Sequence, residues 1–147
     1  MNTRSRHSLR TGAAAAVTLG IGALLAGPAF AAGPALTATP GTGLSSGQTI
    51  TAAGHDFAPG SKVGVAECAL DFTQRVACDS AGIVYVTVGQ DGKFSVPVTV
   101  RKTFKGYNPQ TGQETGAVDA ATEKVGLTAV LMSDVAKPLA NVGLSFS

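Results

Sequence analysis

Two cysteines, Cys68 and Cys78, lie in the stretch CALDFTQRVAC, and they could form a metal site, a redox pair or a disulfide. A structural zinc site usually takes four ligands, whereas the chain after residue 31 adds only one histidine, His55, to these two cysteines. A redox pair is more often spaced C-x-x-C. Ligand count and spacing therefore favour a disulfide over metal or redox chemistry.

His55 and Asp56 form the one imidazole–carboxylate pair after residue 31. Acyl-transfer catalysis needs a nucleophile hydrogen-bonded to a base that a third group orients. No serine lies in a nucleophile elbow, which requires a strand-to-helix turn. His55 follows Gly54 and precedes a loop, which favours a solvated turn histidine. We therefore expect no catalytic residues and no enzyme activity.

The first 31 residues have the layout of a secretory signal peptide. Three arginines and no acidic residue precede the apolar run AAAAVTLGIGALLAG, and small residues Ala29 and Ala31 follow it. A membrane anchor is the weaker interpretation, because this Gly-rich run stops at Pro28, short of the roughly 18–20 apolar residues that span a bilayer. We predict a signal peptide at 1–31 and one secreted domain at 32–147, with no membrane contact after cleavage.

Export places the cysteines in an oxidising compartment. An even number of cysteines in an exported domain is typical of disulfide bonding. We therefore predict a disulfide between Cys68 and Cys78 and no metal site.

The charge of the predicted mature chain is close to neutral. The whole chain carries a formal net charge of +2, but loss of the three signal arginines leaves eight basic against nine acidic residues. Such a domain lacks the overall positive field that drives binding to nucleic-acid phosphates. A local cluster, Arg101, Lys102 and Lys105 with Phe104 between them, could bind anions or nucleic acid. The alternative, which the net charge favours, is a solvated strand end.

The chain after residue 31 shows period-two alternation interrupted by turn residues, and almost no helical periodicity. Val96, Val98 and Val100 alternate with polar residues, and Pro97 between them predicts an edge strand or a bulge. Asp91-Gly92 predicts a tight hairpin turn. The predicted strands are 35–40, 48–54, 62–69, 83–88, 93–100, 123–132 and 139–147, with 133–138 as a turn.

Residues 101–119, RKTFKGYNPQTGQETGAVD, are polar and Gly-rich and predict a projecting two-stranded ribbon. About seven short strands at regular spacing are typical of a β-sandwich. The sequence therefore predicts an all-β protein: an immunoglobulin-like, seven-stranded antiparallel β-sandwich with a small two-stranded ribbon. A cleft between the sandwich and the ribbon would suit an apolar ligand.

Several stretches together resemble the neocarzinostatin family. They are AGPALTATPGTGLSSGQTITAAG at residues 32–54, the Cys68/Cys78 spacing, VTVRKTFKG at 98–106, VD at 118–119, VGL at 125–127 and the ending GLSFS. The resemblance implies the same sandwich and ribbon around a ligand cleft. It also implies a secreted, antimicrobial carrier that stores and protects a non-covalently bound enediyne chromophore, with DNA reached only indirectly through that chromophore.

The resemblance also carries candidate ligand contacts onto this chain. The protein that gives the family its name lines the cleft with aromatic side chains, whereas the matching positions here are mostly aliphatic or polar. Family members also usually have a second short disulfide where this chain has Ala120–Lys124 and no cysteine. The candidate ligand-binding residues are Leu70, Val76, Ile83, Tyr107, Pro109, Lys124 and Thr128.

Two functions remain open from the sequence. The first is a monomeric, secreted, non-enzymatic carrier of an apolar small molecule, in which the cleft residues supply shape and desolvation. The second is a structural or interaction module of the cell envelope with the same fold and no chromophore. A bound small molecule would favour the first, and an empty cleft with an envelope partner the second.

Overall fold

A computed structural model describes residues 32–147, and the predicted signal peptide at 1–31 lies outside the described residues. Within this range the chain forms ten β-strands and one short 3-10 turn, Ser80–Gly82, without an α-helix. No helix in residues 32–147 is long and apolar enough to cross a membrane. The strands are β1 (Ala35–Thr39), β2 (Gln48–His55), β3 (Lys62–Ala69), β4 (Cys78–Asp79), β5 (Val84–Thr87), β6 (Phe94–Val100), β7 (Thr103–Asn108), β8 (Gln113–Asp119), β9 (Val125–Leu131) and β10 (Asp134–Leu144).

The strands form two antiparallel sheets that pack face to face. The smaller sheet has the order β1-β2-β6. The larger sheet has the order β10-β9-β3-β4-β7-β8, and β5 pairs with β3 beside β4. This arrangement confirms the predicted antiparallel β-sandwich, with the hairpin β7–β8 as its ribbon.

The core fills the space between the sheets, as the period-two pattern predicted. Val63 and Val65 of β3 are fully buried, and Leu127 of β9 lies beside them. Phe57 packs edge-on against Phe94, with ring centroids 5.1 Å apart. The smaller sheet contributes Leu36, Ile50, Ala52, Val98 and Val100.

The outer face of the larger sheet carries small residues where its strands are central. Gly64, Ala66 and Cys68 alternate along β3 with the core residues of the same strand. Across the β3–β9 ladder, Ala66 pairs with Thr128 and Cys68 with Gly126. Because directly paired residues point to the same face, short side chains lie side by side and leave a depression in the sheet surface.

The ribbon is anchored to the sheet through the two residues of β4. Cys78 pairs with Cys68 on one side and with Tyr107 of β7 on the other. A second apolar cluster lies beneath the ribbon and contains Ala69, Ala77, Phe104, Val118 and Val125. The ribbon therefore has its own small core.

The turn at Asp91-Gly92 forms, but the predicted hairpin is wrong. Gly92 has a φ of +74°, and the Gly89 amide donates to the Lys93 carbonyl at 2.9 Å. However, β5 pairs with β3 in one sheet, and β6 pairs with β2 in the other. Turn chemistry is local, whereas the partners of the flanking strands are selected by the wider sheet.

Prolines lie within two of the strands, β6 and β10, and the sequence predicted the first strand correctly and the start of the second wrongly. Pro97 lies on β6, which pairs with β2 and no second strand among the described residues, so the predicted edge strand is confirmed. The predicted turn at 133–138 is wrong, because β10 already begins at Asp134, directly opposite Leu131. Register shifts on both sides of Pro138 let the strand continue past a residue that has no amide hydrogen.

Candidate ligand cleft

The predicted disulfide is confirmed, since Cys68 and Cys78 are joined by an S–S bond of 2.07 Å. The two cysteines are directly paired positions of neighbouring strands, and both are buried. The bond closes the segment between them, residues 69–77, which we call the stapled loop. Through this bond, the loop is fixed to the depressed face of the larger sheet.

Two adjoining cavities lie on this face, and we call them together the cleft. The first has a volume of about 60 Å³ and is lined by Gly64, Ala66, Cys68, Cys78, Ile83, Tyr85, Pro109, Thr128, Val130 and Met132. The second has a volume of about 190 Å³ and is lined by Phe72, Val76, Cys78, Pro109, Gln110, Thr128, Val130, Val135, Ala136 and Pro138. They share Cys78, Pro109, Thr128 and Val130, so they form one continuous surface.

Four of the seven predicted ligand contacts line the cleft. Ile83 lines the first cavity and Val76 the second, while Pro109 and Thr128 line both. Pro109 comes from the turn of the ribbon, and Val76 from the stapled loop. The cleft thus lies where the ribbon, the stapled loop and the larger sheet meet.

The other three predicted contacts lie close by but do not line the cleft. Tyr107 is half-buried beside Cys78 on the β4–β7 ladder. Leu70 and Lys124 line a separate cavity of about 720 Å³ at the end of the stapled loop. Leu70 covers Gly126, where an added Cβ would come within 2.9 Å of the Leu70 Cδ1 atom. A role in ligand binding for these three residues stays a prediction.

Sequence reasoning missed an exposed apolar margin of the cleft. The side chain of Tyr85 is 64% exposed and that of Met132 is 41% exposed. Both flank Gly64, where an added Cβ would lie 3.1 Å from Met132 Sδ and 3.6 Å from Tyr85 Cε1. The alternation in VYVT already places the Tyr85 side chain on the opposite face of the strand from Val84 and Val86. The other missed lining residues are Phe72 of the stapled loop, Gln110 of the ribbon turn, Val130 of β9, and Val135, Ala136 and Pro138 of β10.

Thr128 is the buried polar side chain of the cleft wall. It is 3% exposed, and its Oγ1 atom has no hydrogen-bond partner. Buried polar groups are usually paired, so this lone hydroxyl, which has almost no contact with solvent, leaves an unmet hydrogen-bonding capacity in the apolar wall.

Arg75 ties the stapled loop to the ribbon. Its guanidinium donates to the Thr115 carbonyl at 2.6 Å, to the Ala117 carbonyl at 2.8 Å and to the Glu123 carboxylate at 2.8 Å. Glu123 belongs to the cysteine-free segment 120–124. An ion pair therefore links that segment to the loop.

Substitution of Arg75 by alanine is expected to lower the free energy of unfolding by about 2 kcal/mol, because three hydrogen bonds to a charged donor are lost. Lys105→Ala serves as the control, since Lys105 and Glu114 form a 3.7 Å pair at the exposed surface and should contribute under about 0.5 kcal/mol. Urea unfolding of both variants measures the difference. Equal effects would show that Arg75 does not hold the loop.

The basic cluster does not form an open anion site. Arg101 pairs with buried Asp79, Lys105 lies near Glu114, and Lys102 Nζ donates to the Ser147 carbonyl at 3.1 Å. Phe104, between them, is only 7% exposed and belongs to the second apolar cluster. These contacts support the strand-end interpretation over a nucleic-acid patch.

The His55–Asp56 pair is exposed and isolated. His55 Nδ1 lies 2.8 Å from the Asp56 carboxylate, and about half of each side chain is in contact with solvent. No hydroxyl within residues 32–147 bonds to this imidazole. The same range contains no group of three or more His, Cys, Asp or Glu side chains placed to hold a metal ion.

A buried carboxyl lies on the inner side of the same strands. Glu67 is 1% exposed; its Oε2 accepts from the Arg101 backbone amide at 2.7 Å, and its Oε1 has no partner. Burial raises the pKa of Glu67 to about 7, against a smaller lowering by the Arg101 amide. The alternation of β3 already placed Glu67 on the core face with Val63 and Val65, and this signal was overlooked.

Comparison with known proteins agrees with this geometry. Residues 36–146 match the model of the neocarzinostatin family. Actinoxanthin from Streptomyces globisporus is 34% identical over 85% of this chain and 85% of its own. The antitumor antibiotic C-1027 apoprotein from the same organism is likewise 34% identical over the same fractions. The solved structure of macromomycin matches with a TM-score of 0.70 at 27% identity, covering 78% of this chain and 99% of that one. The chain therefore belongs to the neocarzinostatin family.

Proposed function

We propose that the protein is a secreted, non-enzymatic carrier of an apolar small molecule bound in the cleft. The observation that carries this proposal is an apolar concavity closed by the disulfide, the ribbon and the larger sheet, with one unpartnered hydroxyl in its wall. Family membership adds weight, since one relative is named the apoprotein of an antitumor antibiotic. An enediyne-like chromophore is the ligand class that the family suggests.

The cleft also limits how the ligand would sit. Its two cavities are smaller than the roughly 300–1,000 Å³ pockets that enclose drug-sized ligands. A ligand would therefore bury one part in the cleft and rest the remainder on the exposed margin of Tyr85 and Met132. Aromatic and thioether side chains both make favourable contacts with a flat ring.

Carriage in this form needs no chemistry from the protein. The apolar walls would desolvate the ligand, and water would be excluded from the buried part. Any antimicrobial effect, and any contact with DNA, would belong to the ligand after release. The near-neutral predicted mature chain is consistent with this division of roles.

Substitution of Ala66 by leucine tests the site directly. Ala66 is 8% exposed and lines the first cavity, so three added carbons should fill that cavity and displace the ligand. With the neutral fluorophore N-phenyl-1-naphthylamine as probe, we expect binding at least about tenfold weaker than in the unsubstituted protein, or about 1.4 kcal/mol.

The matched control is Ala58→Leu, which adds the same three carbons at an exposed position between β2 and β3. Urea unfolding should show that both variants are folded. Probe binding that is equal in all three proteins, or absent from the unsubstituted protein, would contradict a ligand site in the cleft.

A further inference from the structure

Each cysteine of the disulfide has an acidic residue next to it in the sequence. Glu67 comes before Cys68 on β3, and Asp79 comes after Cys78 on β4. Because neighbouring residues of a strand point to opposite faces, the disulfide faces the cleft while the two carboxyls face the interior. The same short strand pair thus carries the cleft wall on one side and a buried acidic pair on the other.

A single residue, Arg101, contacts both carboxyls. Arg101, which follows β6, pairs through its guanidinium with Asp79 and donates its backbone amide to Glu67. Asp79 is 3% exposed, and its second oxygen accepts from the Ala81 amide at 3.0 Å. Glu67 Oε1 is left without any partner.

The remaining elements around Glu67 bring no further charge. Leu127 of β9 is paired with Glu67 across the ladder and is apolar. The 3-10 turn Ser80–Gly82 has no ionisable side chain. Because the Arg101 guanidinium pairs with Asp79, an ionised Glu67 would place a negative charge in the interior without a guanidinium of its own, which is costly.

We propose that Glu67 acts as a proton-operated latch of the cleft. With the proton on, the carboxyl is neutral and the β3–β4 pair stays closed against the Arg101 segment. Loss of the proton loosens this junction, so the disulfide, the stapled loop and the cleft wall that they form open more readily. The consequence for ligand retention rests on the proposed carrier function, whereas the coupling of opening to the proton is a property of the chain itself.

The direction of the pH effect follows from the burial of Glu67. Burial raises its pKa from 4.5 to about 7 in the closed state, and opening would return the carboxyl to water and to its ordinary value. Between these two values, opening releases a proton, so the opening equilibrium rises by up to about tenfold per pH unit. Below this window and above about 7 the effect levels off. The closed state, and the ligand within it, would be held best under acidic conditions.

The test compares the unsubstituted protein with Glu67→Gln, which keeps the shape and the acceptor for the Arg101 amide but cannot ionise. Urea unfolding at several pH values between 4 and 9 gives a readout that needs no ligand. Stopped-flow release of N-phenyl-1-naphthylamine over the same range gives a readout at the cleft. We expect unfolding and release to increase with pH from about 4.5 to 7 in the unsubstituted protein, by up to about tenfold per unit more than in the glutamine variant.

The possible results distinguish the latch proposal from the carrier proposal. Equal pH profiles for both proteins would overturn the latch and leave the carrier proposal intact. A difference in unfolding without one in probe release would also overturn the latch, because Glu67 would then not be coupled to the cleft. Failure of either protein to bind the probe would count against the carrier, and the unfolding series would still decide whether the Glu67 proton stabilises the closed chain.

Discussion

Replacement of Arg101 by methionine is expected to lower the free energy of unfolding by about 3 kcal/mol at pH 8, and by clearly less at pH 5. The substitution removes the cation from Asp79, which is almost fully buried, next to a second carboxyl. The expected loss of about 3 kcal/mol is at the low end for breaking a buried ion pair, because about a third of the Arg101 side chain is exposed to solvent.

The pH dependence has a definite sign. Loss of the guanidinium removes a positive charge that lowers the pKa of Glu67, so the carboxyl holds its proton to higher pH. A group whose folded-state pKa is raised contributes stability at low pH that is lost as pH rises. The cost of the substitution should therefore grow between pH 5 and pH 8.

Urea unfolding at the two pH values measures this cost, and Lys102→Met is the control. Lys102 lies next in sequence, but its ammonium bonds to the Ser147 carbonyl at the surface. We expect the control to change the stability by under about 1 kcal/mol at either pH. A cost for Arg101→Met that is equal at both pH values, or no larger than the control, would contradict the described charge arrangement.

Replacement of both cysteines by alanine is expected to cost about 3 kcal/mol of stability, from the chain-entropy estimate for a loop of this length. The cysteines are 10 residues apart, so the loop that the bond closes is short. The stapled loop then keeps its tie through Arg75 but loses its covalent link to the sheet. Because Cys68 and Cys78 themselves line the cleft, probe binding should weaken together with stability.

Two measurements separate these effects. Urea unfolding of the double variant gives the stability change, and titration with N-phenyl-1-naphthylamine at low urea gives the change in binding. Arg75→Ala removes the loop's hydrogen bonds to the ribbon without changing a residue that lines the cleft, and it serves as the comparison. A double variant that binds the probe as tightly as the unsubstituted protein would show that the disulfide does not shape the site.

The alternation of β3 illustrates how much of the fold the sequence could predict. In KVGVAECA, one set of alternate residues is Val63, Val65 and Glu67, and the other contains Gly64 and Ala66. The first set forms the core, and the second forms the floor of the cleft. Period-two patterning therefore predicted the sandwich. The same alternation also separates the small residues of the cleft floor from the interior Glu67, although neither feature was among the predictions.

The candidate ligand contacts came from the family resemblance, and four of the seven line the cleft. Thr128 lines the cleft as expected, because the β3–β9 ladder places it beside Ala66 on the outer face of the larger sheet. Leu70 and Lys124 line a different cavity, since the stapled loop turns away beyond the disulfide. Val135, Ala136 and Pro138 reach the cleft from β10, where the sequence predicted a turn, and local periodicity has no information on such contacts.

Native mass spectrometry of the protein recovered from its own culture medium tests the central claim most directly. We expect the mass of the disulfide-bonded chain from Ala32 to Ser147, plus the mass of a small molecule that is lost on denaturation. The same preparation of Ala66→Leu should carry little or none of this added mass. A secreted protein that has the bare mass under native conditions, in both the unsubstituted and the substituted form, would contradict a carrier function.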